Sequence, residues 1–290
     1  MKTMLILLFV PLFVFAQSSW QRSIETVPQK VELFHSSKTA NFPTTENLLQ
    51  GNFVFEISHR FEAINEGYDN FFGLDGPVNI RIALGYGITD DLMVTLGRSN
   101  ILANLDIAFK YKLKDFDSDK FPSSLALNVG SGFVNRDIYS VKQDIKIFDP
   151  DYTQFYGQLV YNIMFFDKKL AIGIVPSFVY NSYIFAAGQG LDTKTTFTLG
   201  TCYQYYFNRM WSIWAEYSTV LSGYDKSIIS NAVDAYDPIA FGTAIETGGH
   251  IFHLFVTNSS RLNPAQFLIG ADHNTDSDAW RFGFGITREL

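Results

Sequence analysis

Apolar and polar side chains alternate at period two through most of this chain, and the cleanest instance spans Val78 to Ser99. There Val78, Ile80, Ile82, Leu84, Tyr86 and Ile88 share one face, while Asn79, Arg81, Ala83, Gly85 and Gly87 share the other, because successive side chains of a strand point to opposite sides. After Thr89-Asp90-Asp91, the residues Leu92, Val94 and Leu96 resume the apolar face opposite Met93, Thr95 and Gly97, so the segment predicts a hairpin with a tight turn. A strand of about ten residues with one continuous apolar face is what a tilted strand needs to cross a bilayer.

The unit recurs. Phe53, Phe55, Ile57, His59 and Phe61 alternate with Val54, Glu56, Ser58 and Arg60. Leu105, Ile107, Phe109, Tyr111 and Leu113 alternate with Asp106, Ala108, Lys110 and Lys112, and Leu125, Leu127 and Val129 with Ala126, Asn128 and Gly130. Further strands are predicted from Phe155 to Met164, Leu170 to Tyr180, Thr195 to Tyr206, Trp211 to Thr219, Ile239 to Ile245 and His250 to Thr257. A last one closes the chain, with Trp280, Phe282, Phe284 and Ile286 opposite Arg281, Gly283, Gly285 and Thr287. Pro176 cannot donate to a strand ladder, so a bulge or local irregularity is expected in the seventh strand.

The count is about twelve strands, with about ten to fourteen admissible. Short turns such as Asp167-Lys168-Lys169 and Thr247-Gly248-Gly249 alternate with longer polar loops, the last running from Asn258 to Ala279. This pattern predicts an all-β, antiparallel transmembrane barrel with short periplasmic turns and longer extracellular loops. A soluble β-sandwich alternates too, but its apolar faces must pack on each other. Here those faces carry Phe, Tyr and Trp near strand ends, as interfacial girdles do, and the opposite faces are rich in glycine.

Composition agrees with a lipid-facing wall: aromatic residues make up 16% of the chain and charged residues only 18%. The N-terminus, MKTMLILLFVPLFVFAQ, has a basic Lys2, an apolar core from Met4 to Phe15, and Val14 and Ala16 where a signal peptidase reads. The expected organisation is an export signal over residues 1–16, a periplasmic or plug-like segment over 17–52 and a barrel over 53–290. Without the signal, 21 basic face 29 acidic side chains for a net charge of −8, which excludes nucleic acid as a partner. Cys202, the one cysteine, forms no internal disulfide. Export, no disulfide and no long hydrophobic helix together point to the bacterial outer membrane, with outer-membrane lipid as one partner and small solutes or ions as others; a protein partner is not identified.

EISHRF at Glu56 to Phe61, GITDDLMVTLGRS at Gly87 to Ser99, ETGGHIFHLFVTNS at Glu246 to Ser259 and RFGFGITR at Arg281 to Arg288 resemble an uncharacterised family of bacterial outer-membrane β-barrels, described as a membrane β-barrel domain of unknown function. The resemblance extends from about Leu33 onward; it implies the fold and the location, and brings no catalytic residues.

The residues offer little catalytic or metal chemistry. Asp115, Asp117 and Asp119, and Asp272, Asn274 and Asp276 with Asp278 beyond, have alternate spacing but lack the glycine and distal glutamate of a calcium loop, so they read as acidic turns. No metal or cofactor is expected. Outer-membrane phospholipases place a Ser/His pair on a barrel wall, and His250, His253, Asn258 and Ser259 are the nearest approach to that set; His250 belongs near a periplasmic turn and His253 on the opposite face, so a lipid hydrolase is the weakest reading. The inward parity is more informative. Glu56, Arg60, Arg81, Asp106, Lys110, Lys112, Glu216, Glu246 and Arg281 all fall on it, as lumen-lining candidates that must meet water or one another. Glycines 85, 87, 97, 130, 132, 173, 200, 242, 283 and 285 share that face and either serve strand curvature or leave room for a solute or a plug. The first functional reading is a passive channel or small-solute transporter with a charged, glycine-rich lumen; the alternative is a non-conducting structural or docking barrel that presents its loops to a partner. For the export signal, N-terminal sequencing or intact mass of the mature protein should show loss of Met1 to Ala16; a chain that retains them in a cytoplasmic fraction would overturn both export and barrel.

Overall fold

A computed structural model describes residues 32–136, 148–181, 195–223 and 236–290. The export signal expected over 1–16, and the lead-in as far as residue 31, lie outside the described residues.

Twelve antiparallel strands form a closed ring in sequence order. They are β1 (Phe53–Ala63), β2 (Asn79–Gly87), β3 (Leu92–Ser99), β4 (Leu105–Phe116), β5 (Ser123–Phe133), β6 (Thr153–Phe165), β7 (Leu170–Tyr180), β8 (Thr195–Tyr206), β9 (Trp211–Ser222), β10 (Ile239–Thr247), β11 (His250–Thr257) and β12 (Arg281–Glu289). The ring closes where β1 pairs with β12, with Ile57 opposite Ile286 and Val54 opposite Glu289. Closure leaves no strand edge with unpaired N–H and C=O groups, the condition for a sheet to sit in hydrocarbon.

Strand alternation divides the wall as the period predicts. On β6, Phe155 and Leu159 are exposed while Tyr156, Gln158, Val160, Asn162 and Met164 are buried. Outward aromatics gather in two bands. Phe53 with Tyr86, Phe121 with Phe165 and Tyr205 with Phe207 mark the turn end, and Phe155 with Tyr180, Phe133 with Phe148 and Phe241 with Trp280 mark the loop end. Amphipathic rings of this kind settle at the two membrane–water interfaces.

The irregularity expected at Pro176 is present as a lapse and not as a bulge: β6 and β7 stay in one register on both sides of it, while the ladder lapses at Leu159 and Val160, and Pro176 still opposes Leu199 of β8. The missing N–H costs the β6 side its pairing without inserting a residue. Register shifts fall instead at Arg60/Ala63, Lys112/Lys114 and Phe197/Thr198.

One expectation is corrected, for the loop between β11 and β12, expected as an extracellular polar loop. It turns into the barrel, burying Leu262, Ala265, Phe267, Leu268 and Ile269 around a short helix α1 (Pro264–Phe267). Asn263 caps that helix by accepting the Gln266 N–H (3.0 Å), and Pro264 occupies its first turn, where no amide hydrogen is needed.

The wall has a depth profile that can be measured. Leu159→Arg, mid-strand on the outward face of β6, should lower stability by about 2–4 kcal/mol, and Phe155→Arg, near the loop-end interface, by about 0–1 kcal/mol. Denaturant titration in lipid vesicles reads both, and equal penalties would contradict the assignment of faces and depth.

Candidate functional site

The bore is filled from both ends. At the turn end, residues 33–48 fold into it as a narrow hairpin. Thr39 N–H donates to Phe42 O (2.9 Å), Thr44 N–H to Ser37 O (3.1 Å), and Lys38 bridges Pro43. Glu46 gathers the two ends, its carboxylate accepting the Leu33 N–H (2.9 Å) and the Phe34 N–H (3.4 Å). Burial pushes the Glu46 carboxyl above its usual range.

Each part of this hairpin has its own seat. Leu33 and Phe34 pack on Met164, Ala171, Cys202 and Tyr206 at the turn ends of β6 to β8. Further in, Thr45 N–H donates to Asn162 Oδ1 (2.6 Å), and Lys110 Nζ donates to Ser37 O (2.7 Å). At the tip, Asn41 donates from its backbone N–H and its Nδ2 to the two oxygens of Glu216 (2.9 Å each), while its Oδ1 accepts from Arg60 Nη2 (2.9 Å). One amide side chain thus joins two wall charges that do not pair directly. Phe42 lies against Gly200, where a Cβ would collide with its ring.

From the loop end, the β11–β12 loop meets this tip. Phe267 contacts Phe42 edge to face with centroids 5.1 Å apart, inside a cluster that includes Tyr156, Val160, Val175, Val179, Leu268 and Ile269. Polar ties hold the loop in place: Gln154 Nε2 donates to Ala265 O (3.4 Å), and Arg261 Nη1 donates to Gln266 O (3.1 Å) and Gly270 O (2.9 Å). Beside the hairpin lies a cavity of about 60 Å³, bordered by Lys38, Glu56, Arg81, Lys110 and Tyr156, with room for a few waters.

Of the nine candidates from the inward parity, seven are buried in the bore. Glu56, Arg81 and Asp106 form one chain of charge with Lys38 of the hairpin. Lys38 Nζ lies 2.9 Å from Glu56, Arg81 Nη1 3.4 Å from the same oxygen, and Arg81 grips Asp106 bidentately at 3.0 and 2.6 Å. Arg81 stands on β2 and Asp106 on β4, so the guanidinium crosses β3. It can do so because Gly97 lies between them; a Cβ there would strike both groups. Burial pulls the Lys38 ammonium below its usual range, and Glu56 pulls it back up.

Arg60 lies 4.5 Å above the Phe255 ring and has its Nε without a protein partner. Lys112 is buried, 3.6 Å from Asp115, with no hydrogen bond to its Nζ. The remaining two candidates sit at the mouths. Glu246 pairs with His35 (2.6 Å) at the turn end, and Arg281 at the loop end reaches Phe61 O (3.2 Å), Asp272 (3.4 Å) and His273 (2.9 Å).

Sequence reasoning did not find Lys38, Asn41 and Glu46, because a segment that meets its wall through single side chains and backbone amides carries no period. The residues weighed for hydrolysis do not assemble. His253 is buried edge-on against Trp214, His250 stacks on Phe252, and Asn258 is spent on Asp237 O, His273 O and the Ile239 N–H. Among the described residues no group of three or more His, Cys, Asp or Glu side chains is placed to hold a metal ion.

The membrane bound beta barrel domain family (DUF5777) matches this sequence over residues 34–290. No curated protein matches it. Among solved structures, a NanC porin superposes with TM-score 0.50 at 10% identity, covering 82% of this chain and all (100%) of the porin. An outer membrane channel from Pseudomonas putida F1 superposes with TM-score 0.49 at 14% identity, over 85% and 98% of the two chains. Outer membrane phospholipase A from Escherichia coli does so with TM-score 0.40 at 8% identity, over 82% and 92%. At 10% identity the likeness to the NanC porin speaks to the fold alone.

The charge chain makes a specific demand on stability. Arg81→Gln strips the guanidinium from two buried carboxylates and should destabilise the barrel by about 3–5 kcal/mol in denaturant titration. Adding Asp106→Asn to that variant should restore part of the loss, since it removes one of the two uncompensated charges. A neutral Arg81→Gln would mean that the charges are not bracing one another.

Proposed function

The chain belongs to the membrane-bound β-barrel domain family, and from that premise we propose that it is a gated outer-membrane channel for small polar solutes or ions, closed by its own N-terminal hairpin. The observation that carries this reading is the polarity of the inner wall. It presents Asn162, Lys110, Gln158, Asn128, Glu56, Arg81, Asp106, Glu216 and Gln154, all buried; Asn162, Lys110, Glu56, Glu216 and Gln154 meet the hairpin or the β11–β12 loop, while Arg81 pairs with Asp106 and Glu56, and Asn128 with Gln158.

A barrel meant only as a rigid scaffold has a cheaper solution. Well-packed apolar side chains fill a bore without the desolvation cost of buried charge. A wall that stays polar under its plug is suited to water when the plug leaves. Withdrawal of the hairpin would return Glu56, Glu216 and Arg60 to solvent, which offsets the lost contacts to Lys38 and Asn41. Opposite charges facing one bore behind a low-dielectric wall would then act on passing ions. Under this reading Glu56, Arg60, Arg81, Asp106, Lys110, Lys112 and Glu216 line the conduit, with Glu246 and Arg281 at its mouths.

The test is conductance in planar bilayers. The full mature chain should pass little current, whereas deletion of residues 33–48 should open a steady conductance. Gly200→Val, which places bulk where the Phe42 ring lies, should raise the open fraction while leaving the barrel folded. Variants that fold but conduct no better than the full chain would leave a filled, non-conducting barrel and overturn the channel.

A further inference from the structure

On the outer wall, a groove of about 780 Å³ runs down from the loop-end rim between β2, β3 and the start of β4. Its floor is apolar, made by Ile80, Ile82, Leu84 and Leu96. Its rim carries two guanidinium groups, Arg98 and Arg136, and no carboxylate is part of its described lining.

Arg98 stands on the outward parity of β3, opposite Ile82 on one side and Leu105 on the other, one residue before the strand ends. Arg136 lies three residues beyond the end of β5, in the chain that leaves that strand. Both are exposed. Among the described residues neither has a hydrogen bond or an ion pair, in contrast to the arginines of the bore.

The rim around them is built rather than loose. Asn100 accepts the Ile80 N–H (2.9 Å) and donates to Val78 O (2.9 Å), tying the β3–β4 turn to the head of β2. Asn135 donates its side-chain amide to Ala103 O (3.1 Å) and Phe133 O (3.2 Å), and its backbone N–H to Leu102 O (3.2 Å). These amides hold the residue next to Arg136 against the turn that follows Arg98.

We infer that this groove binds an acylated lipid of the extracellular leaflet through its phosphate headgroup. An arginine on the lipid-facing parity is tolerated only near the interface, where its head reaches polar groups. Two such heads above an apolar channel match an amphiphile with one anionic end and hydrocarbon chains below it, because a guanidinium donates to phosphate in a planar fork. The chains would lie along Ile82, Leu84 and Leu96, and the phosphate between Arg98 and Arg136. This inference does not depend on whether the bore conducts.

Native mass spectrometry of the full mature protein in detergent tests it, with phosphatidic acid, phosphatidylcholine of the same chains, and inorganic phosphate as probes. Phosphatidic acid should be retained about tenfold more than phosphatidylcholine, which corresponds to about 1.4 kcal/mol. Arg98→Gln with Arg136→Gln should abolish that preference, and Arg98→Lys with Arg136→Lys should keep part of it. Equal retention of the two lipids by the unmodified protein, which needs no variant to fold, would overturn the inference, as would an unchanged preference in a folded double Gln variant. Displacement by inorganic phosphate at equal concentration would point to a free-anion site and would also overturn it.

Discussion

Pairing of β1 with β12 closes the sheet, and a closed sheet in hydrocarbon allows only one distribution of side chains. Apart from the lapse opposite Pro176, neighbouring strands answer the backbone N–H and C=O groups of the wall, so the outward parity is free to be apolar. Leu84, Leu159, Phe178 and Leu254 meet that demand on four different strands. Whatever charge the strands carry is thereby driven inward or to the rims. Arg98 illustrates the boundary: it shares a parity with Leu96 and Val94 but sits one residue before the end of its strand, where the interface begins.

The inward charges then face a second demand. A bore of twelve strands is wider than its own side chains fill and narrower than the water-filled lumen of a sixteen-stranded barrel. In this molecule main chain fills the difference. The hairpin of residues 33–48 supplies Lys38 to Glu56 and Asn41 to Arg60 and Glu216, so charges on the strands find partners on a segment that belongs to none of them. Bidentate pairing of Arg81 with Asp106 is made within the wall itself, and it exists because Gly97 leaves β3 bare beneath it. Inward glycines therefore serve as clearance for particular groups: Gly97 for a guanidinium, Gly200 for Phe42, Gly283 for the Phe255 ring.

These two demands explain what could be read from the residues alone. All twelve strands are legible, from Phe53–Ala63 to Arg281–Glu289, because lipid imposes a period that no tertiary partner can mask. The inward set from Glu56 to Arg281 is legible for the same reason, since parity fixes the side on which a residue falls. Its pairing is not, because Arg81 meets Asp106 across an intervening strand and Arg60 meets Glu216 only through Asn41. Residues 33–48 are opaque: their order comes from contacts such as Thr45 with Asn162, far apart in sequence and without spacing. The inward fold of the β11–β12 loop did leave a trace, the apolar run Phe267-Leu268-Ile269 inside an otherwise polar stretch, which an exposed loop has no reason to keep.

The two fillings of the bore touch at Phe42 and Phe267, and this contact differs in kind from the polar contacts of the hairpin. Around it lie Val160, Val175, Val179, Leu268 and Ile269, a water-excluding cluster, whereas the contacts of Lys38, Asn41 and Thr45 are hydrogen bonds and ion pairs that water can replace. Apolar contact is lost without substitute on exposure, while polar contact is exchanged for hydration, so this aromatic pair and its surround, with the apolar seats of Leu33, Phe34 and Ala40, hold the hairpin more firmly than its polar contacts do. In the gated reading this makes the β11–β12 loop part of the latch. Anything that shifts Phe267 from the loop end, by acting on the ties of Arg261 or Gln154 that position it, weakens the seat of the segment that fills the turn end. Communication between the two faces of the barrel then needs no movement of the wall, only a change at the point where the two plugs meet.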